Sequence, residues 1–288
     1  MNAYLRPVVL LLTAVLYICW NALGPAGADE ALGGLLVLGL AAIGIPHGAL
    51  DVWTHEARSP GRNASYIVGY LACIGILLLG WHTFPHAGLL LFLSLSAWHF
   101  GQADFTLWGI TRGHFTWGVI ALGTILVWHL DEVLPIIEQM GVTESAQLNV
   151  SDLETTFQLA STAGLIACTI AALRLRNWDW LLTILLIAVT PWIPVLLSFG
   201  LYFIGQHSAS GWHHLQTRLG WSSKALWWKA APFTLGAVVL MGVGIVGLGR
   251  PEMFFSNATY GAFFMLLGSI SIPHIFESHW FLMATTKR

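Results

Sequence analysis

Twelve histidines are the residues best able to do chemistry in this chain, because only 9% of its residues are charged. Neutral imidazole binds Fe, Cu, Zn and Ni, whereas Ca and Mg prefer oxygen ligands. One buried histidine is more often a satisfied core residue than a ligand, so the question is whether several meet. The three cysteines (Cys19, Cys73 and Cys168) stand singly in apolar runs, which argues against disulfides or a thiolate site.

The residues around these histidines have the composition of an integral membrane protein. Hydrophobic residues make up 56% of the chain and charged residues 9%, against about 25% charged in a soluble domain. Because each bilayer crossing takes about 20 residues, the 288 residues predict one transmembrane domain, 1–288, with little room for a soluble one. The net charge of −2 gives no basic field for nucleic acid.

Hydropathy predicts an all-α bundle of about ten transmembrane helices, and the basic residues predict its orientation. Eleven of the twelve Lys and Arg fall at one set of alternate span ends, with Arg250 the exception. By the positive-inside rule those ends, and both termini, are cytoplasmic. The acidic segment 131–156 holds no Lys or Arg and is predicted to be an exterior loop. The predicted spans are 7–24, 32–52, 64–84, 87–108, 115–130, 157–173, 178–192, 194–214, 230–249 and 257–281.

Residues 1–28 have two interpretations. Arg6, an apolar run and Ala26-Gly27-Ala28 resemble a signal peptide with its cleavage site. Tyr17, Trp20 and Asn21 instead fit the interfacial end of a first transmembrane helix, which is the interpretation we favour.

Four histidines are predicted to lie at one depth. His47, His99, His207 and His274 fall on spans two, four, eight and ten, which all run toward the cytoplasm. Their distances along the chain to the first following basic residue are 11, 13, 11 and 13 residues. At 1.5 Å per residue the four depths agree within about 3 Å, ~16–20 Å inside the basic markers. The sequence therefore predicts a metal site of four imidazoles.

The other histidines are predicted to lie at interfaces or in loops, except His279, whose depth is intermediate. Those seven are His55, His82, His86, His114, His129, His213 and His214.

A ligating histidine normally donates its second N–H to a carboxylate or carbonyl. Helix-end capping is the competing explanation for the two aspartates that could accept such a bond. The candidate acceptors near the predicted ligands are Asp51, four residues after His47, Gln102 and Asp104, three and five after His99, and Glu277, three after His274.

Four motifs in this order resemble those of the Brp/Blh-type β-carotene 15,15'-dioxygenases, over nearly the whole chain. The first, GIPHGALD at 44–51, is the most specific. The others are SLSAWHFGQAD at 94–104, Tyr202-Phe203 leading to His207-Ser208, and SIPH at 271–274.

The resemblance implies an integral membrane enzyme of the cell (inner) membrane that splits β-carotene with O2 into two retinal molecules. It implies a non-haem Fe(II), with His47, His99 and His207 matching proposed ligands. It also implies β-carotene drawn from the lipid phase, and a microbial rhodopsin as recipient of the retinal.

The chain departs from the family pattern at the fourth ligand. Many members have HSxxH, but the second histidine position is Gly211 here. Depth favours His274 instead. His213 or His214 would need a broken helix at 208–211, because seven helical residues advance about 10 Å. A water or a three-histidine site is the remaining alternative.

Three other classes also use intramembrane histidines. A haem-binding electron carrier needs only two on opposite faces. A desaturase would show HxxxH and HxxHH boxes near the cytosol, and only His82 and His86 have such spacing. A transporter that uses His and Asp would bind no iron.

Overall fold

The computed structural model describes residues 5–22, 35–36, 38–54, 60–142, 150–247 and 256–285, and within them every regular element is helical. The π-helical segments Leu40–Gly44 and Gly200–Ser208 lead directly into α2 and α11 respectively. The helices are α1 (Leu5–Ala22), α2 (Ile45–Gly48), α3 (Asp51–Thr54), α4 (Pro60–Thr83), α5 (Pro85–Leu107), α6 (His114–Val127), α7 (Leu130–Gln139), α8 (Val150–Leu175), α9 (Trp178–Val189), α10 (Val195–Phe199), α11 (Ala209–Leu219), α12 (Ser223–Gly247) and α13 (Asn257–Thr285).

Several of these helices have the length and apolar surface of membrane spans. Among the described residues four segments qualify, and α6 with α7 makes a fifth if that bent pair is one span. Helices α1 and α9 are apolar but shorter. The structure thus gives four or five candidate spans where hydropathy predicts ten. The four segments are Ala64–Thr83, Leu153–Leu175, Ser223–Val243 and Asn257–Phe281.

The predicted exterior loop at 131–156 is wrong in part, because much of it is helical. Helix α7 turns by 94° from α6 and buries Val133, Ile136 and Met140, while Asp131 and Glu138 stay exposed. That spacing places the apolar residues on one face of a helix. Helix α8 begins at Val150, and 143–149 lie outside the described residues.

The predicted separation of spans seven and eight is visible as a break in the chain. Helix α9 gives way to the short 3-10 turn Thr190–Trp192, Ile193 is extended, and α10 begins at Val195. From Val195 the chain then stays helical through the second π segment to the end of α11, without a break at 208–211.

Helix α1 packs into the bundle. Its Ala14 is fully buried in a cluster with Leu186, Ile193 and Leu201, which agrees with a first helix. The proposed cleavage motif at 26–28 and the basic exception Arg250 lie outside the described residues.

Two glycines bring α5 and α6 into backbone contact. A Cβ on Gly101 would lie 1.8 Å from the His114 carbonyl oxygen, and one on Gly118 would lie 1.7 Å from that of Ala97. Small residues permit such close helix approach. Because Ala97 and Gly101 flank His99, the close contact between α5 and α6 fixes the part of α5 that carries this histidine.

Candidate metal centre

Four imidazole rings meet inside the bundle, and they are the four that the depth estimate selects. His207 stands 5.6 Å from His47 and 4.8 Å from His99, measured between ring centroids. His274 closes the circuit at 4.9 Å from His47 and 5.2 Å from His99. One ring nitrogen from each of His47, His99 and His207 lies within 4.8 Å of the others. The structure thus joins α2, α5, the second π segment and α13 at one point.

The two π-helical segments help to position two of the four histidines. One ends three residues before His47, and the other contains His207. A π-helix widens the turn locally and recurs at functional sites. Widening re-aims the side chains that follow, so these segments help direct both rings into the cluster.

Each histidine of the cluster has at least one buried ring nitrogen without a hydrogen-bond partner. His47 Nδ1 donates to the Gly44 carbonyl at 2.5 Å, which leaves its Nε2 buried and unpaired. Both ring nitrogens of His99 are also buried without a partner, as is Nε2 of His274. Buried polar atoms without partners are rare and need an explanation. A metal ion among these nitrogens would supply one, so the donor set fits an imidazole-bound transition metal.

Asp51 orients His274 rather than His47. Its Oδ1 accepts from His274 Nδ1 at 2.9 Å, across 223 residues of sequence. This bond fixes the tautomer that leaves Nε2 with a lone pair for a metal. Tyr70, which sequence reasoning missed, donates to the Ile270 carbonyl at 3.1 Å and lies 3.5 Å from Asp51 Oδ2.

Asp104 contacts no histidine of the cluster, although its spacing predicted one. Its Oδ2 accepts from Trp117 Nε1 and from the Tyr202 hydroxyl, both at 3.0 Å. Asp104 lies five residues after His99, and Tyr202 lies five residues before His207. The bond therefore ties two ligand-bearing helices together just over one turn from the cluster.

The other predicted acceptors, Gln102 and Glu277, lie on the helices that carry His99 and His274. Gln102 Nε2 lies 2.7 Å from Nδ1 of His279, so its partner is the histidine of intermediate depth. Glu277 is half-buried one turn after His274, whose Nδ1 bonds Asp51.

Two glycines make room for the rings. A Cβ on Gly48 would lie 3.3 Å from Cγ and Nδ1 of His274, and one on Gly211 would lie 3.3 Å from Cδ2 of His47. The family's second histidine position therefore does face the cluster, but it carries no side chain.

The histidines displaced from that position lie elsewhere. His213 is exposed, and the His214 ring packs against Phe281 at 5.9 Å. Since the helix is unbroken here, the alternatives at 213 and 214 lose their structural basis. His55 lies outside the described residues.

The cluster lies in the wall of a large apolar cavity. Its volume is about 640 Å³, within the usual range of ligand pockets. Its described lining is mostly aliphatic and aromatic and contains no Lys or Arg. Leu71 on α4 and Val239 on α12 line it while being 56% and 54% exposed, so the cavity reaches the outer surface of the bundle.

Comparison with known proteins gives one consistent result. The family model described as Beta-carotene 15,15'-dioxygenase matches residues 38–281, a range that contains all four clustered histidines. The Beta-carotene 15,15'-dioxygenase of uncultured marine bacterium 66A03 is 28% identical over 252 residues, covering 81% of this chain and 88% of that protein. No solved structure matches the chain. The chain belongs to the beta-carotene 15,15'-dioxygenase family.

Proposed function

We propose that this enzyme cleaves β-carotene with O2 at the central 15,15' double bond to give two molecules of retinal. Its cofactor is a non-haem Fe(II), and O2 is the co-substrate. The residues that hold the iron are His47, His99, His207 and His274, with Asp51 orienting the last of them.

The observation that carries this proposal is the circuit of four imidazoles, three of them buried and His274 nearly so, in the wall of an apolar cavity. An anionic ligand would need a cationic side chain in the wall, and the described lining has no Lys or Arg. The one carboxylate in that lining, Asp51, is already paired with His274. A hydrocarbon such as β-carotene needs only apolar contact. The unpaired ring nitrogens and the apolar cavity together therefore support an iron-dependent reaction on a hydrocarbon substrate.

Bound Fe(II) would supply the activation of O2 for cleavage of a carbon–carbon double bond. The chain supplies binding, orientation and exclusion of water. Asp51 and the Gly44 carbonyl hold the Nδ1 protons of His274 and His47, so that Nε2 of each ring keeps a lone pair for a metal. The described cavity lining contains no Cys or Lys that could act as a nucleophile.

The exposed lining residues support lateral exchange with the bilayer. β-Carotene partitions from the lipid phase past α4 and α12, and retinal leaves by the same route or passes to a microbial rhodopsin. The carotenoid needs no aqueous path, because lipid and cavity are both apolar.

The proposed setting is the cell (inner) membrane, with ten spans, both termini cytoplasmic and one domain over 1–288. The basic-residue pattern supports it. So does a hydrogen bond from Arg6 to Ser210, because it brings the start of α1 to the end of the bundle that carries Arg218. Helices such as α1 would then cross as short, tilted or partly buried spans.

The test is expression in a β-carotene-producing bacterium, with wild type, His99→Ala and the matched control His213→Ala. We expect retinal from wild type and from His213→Ala, and only background from His99→Ala at equal protein level. Purified wild type should carry about one iron per chain, and His99→Ala much less. If inserted, iron-replete wild type leaves the cells orange and free of retinal, the proposed function is wrong.

A further inference from the structure

The cavity extends well beyond the histidines in one direction. Along α5 its lining runs from His99 back to Leu89, and along α13 from His274 back to Phe264. Both stretches are ten residues, so each helix gives a depth of ~15 Å. Two separate helices thus define an arm of the same length on the same side of the cluster.

Helix α7 lies across the far end of this arm. Its buried face places Ile136 and Met140 in one apolar cluster with Trp81, against which Leu89 and Phe264 pack. A Cβ on Gly261 would lie 3.1 Å from the Ile136 carbonyl oxygen, so α7 also meets the start of α13 at backbone distance. The arm is therefore stopped by a helix that is anchored on two sides.

The length of the arm matches half of a carotenoid. An extended chain advances about 1.2 Å per bond. The half of β-carotene beyond its central double bond has about nine chain bonds and a terminal ring, which together span about 15 Å. With its ring against α7, the molecule presents its central double bond at the histidines.

We infer that this arm is a ruler: contact of the terminal ring with Leu89, Ile136 and Met140 selects the bond that is cleaved. These are specificity-determining residues that touch substrate about 15 Å from the reacting bond. The inference rests on the proposed function, because it concerns where that same reaction occurs. The length of this arm could not be predicted from the sequence, because α5 and α7 come together only in the folded protein.

The direct test lengthens the arm. Met140→Ala removes three atoms beyond Cβ, which frees room for about two or three bonds, enough to bring the next double bond to the iron. Cleavage there consumes one O2 and places one oxygen atom on each new carbonyl. The products are an aldehyde two carbons longer than retinal and a methyl ketone two carbons shorter. We expect this unequal pair to rise from near zero to a share comparable with retinal.

The matched control is Met265→Ala. Met265 packs against the same apolar cluster but does not line the cavity, so its loss should weaken the fold similarly and leave retinal the only product. Leu89→Ala lengthens the arm from α5 and should give the same unequal pair, so the ruler stays testable if Met140→Ala does not fold.

A second readout does not depend on turnover. Leu89→Trp should fill the arm and exclude the terminal ring, so chelator-treated, metal-free protein should retain at least about tenfold less β-carotene than wild type. Met265→Ala should retain as much as wild type.

The outcomes separate the ruler from the reaction. Retinal as the sole product of folded Met140→Ala or Leu89→Ala overturns the ruler while the dioxygenase stands, and so does undiminished carotene retention by folded Leu89→Trp. A wild-type protein that cleaves nothing overturns the proposed function and the ruler with it.

Discussion

Gly48→Ala separates iron binding from folding more cleanly than removal of a ligand does. Gly48 is the last residue of α2, directly after His47, and its Cα faces the His274 ring. A helical glycine replaced by alanine gains about 0.5–1 kcal/mol of stability where space allows. Helix propensity at this position therefore favours alanine, and only contact with the His274 ring disfavours it.

Two distances indicate how strongly the His274 ring would be displaced. The new methyl carbon would lie 3.3 Å from both Cγ and Nδ1 of His274, a few tenths of an ångström closer than ordinary contact. The ring is also held by Asp51 at 2.9 Å, so it must tilt against that bond. Metal ligands tolerate only about 0.2 Å of displacement. We expect Fe(II) affinity to fall about tenfold, comparable to loss of an outer hydrogen bond, with a Tm unchanged or raised.

The assay is competition of purified protein with an Fe(II) chelator, together with thermal unfolding. Gly75→Ala on α4 is the matched control, because a Cβ there meets nothing within 4 Å, and it should bind iron as wild type does. Wild-type iron affinity in Gly48→Ala would refute the reasoning that places the His274 ring against this glycine. An equal loss in Gly75→Ala would show a general helix effect instead.

Three further predictions concern the support of the cluster. Asp51→Asn should lower Fe(II) affinity by about 10–100-fold in the same competition assay, and wild-type affinity would contradict the pairing with His274. Gly118→Ala should abolish accumulation of folded protein, because its Cβ would lie 1.7 Å from a backbone oxygen of α5. The control Gly123→Ala, whose Cβ would meet nothing within 4 Å, should accumulate normally. Size-exclusion profiles in detergent measure the folded protein, and a normal profile for Gly118→Ala would contradict the close approach of α5 and α6. His274→Ala should lose most iron, and adding Gly211→His should restore part of it, as measured by metal analysis; no recovery would mean that position 211 cannot reach the metal.

The sequence predicted the cluster but not its supports. Loop charges set a depth for each span, so His47, His99, His207 and His274 could be selected before any fold was known. The partner of Asp51 could not, because i+4 spacing reports only on its own helix. Its true partner lies 223 residues away, and only packing of α3 against α13 brings the two together.

The segment at 131–156 shows a second limit. Its acidic residues and its lack of Lys and Arg favoured a loop, yet Val133, Ile136 and Met140 already had the spacing of one apolar helix face. The bend of 94° after α6 turns that face onto the bundle. Neither this bend nor the π-helical segments before His47 and around His207 has a residue pattern that identifies it, because both depend on packing against neighbouring helices.

The central claim is that these four histidines hold one iron ion. X-ray absorption at the iron edge of purified, iron-loaded protein tests it most directly. We predict a first shell dominated by imidazole nitrogens near 2 Å, about four in wild type and about three in His274→Ala. A shell of oxygen ligands, or a wild-type spectrum that His274→Ala and His99→Ala leave unchanged, would contradict the claim.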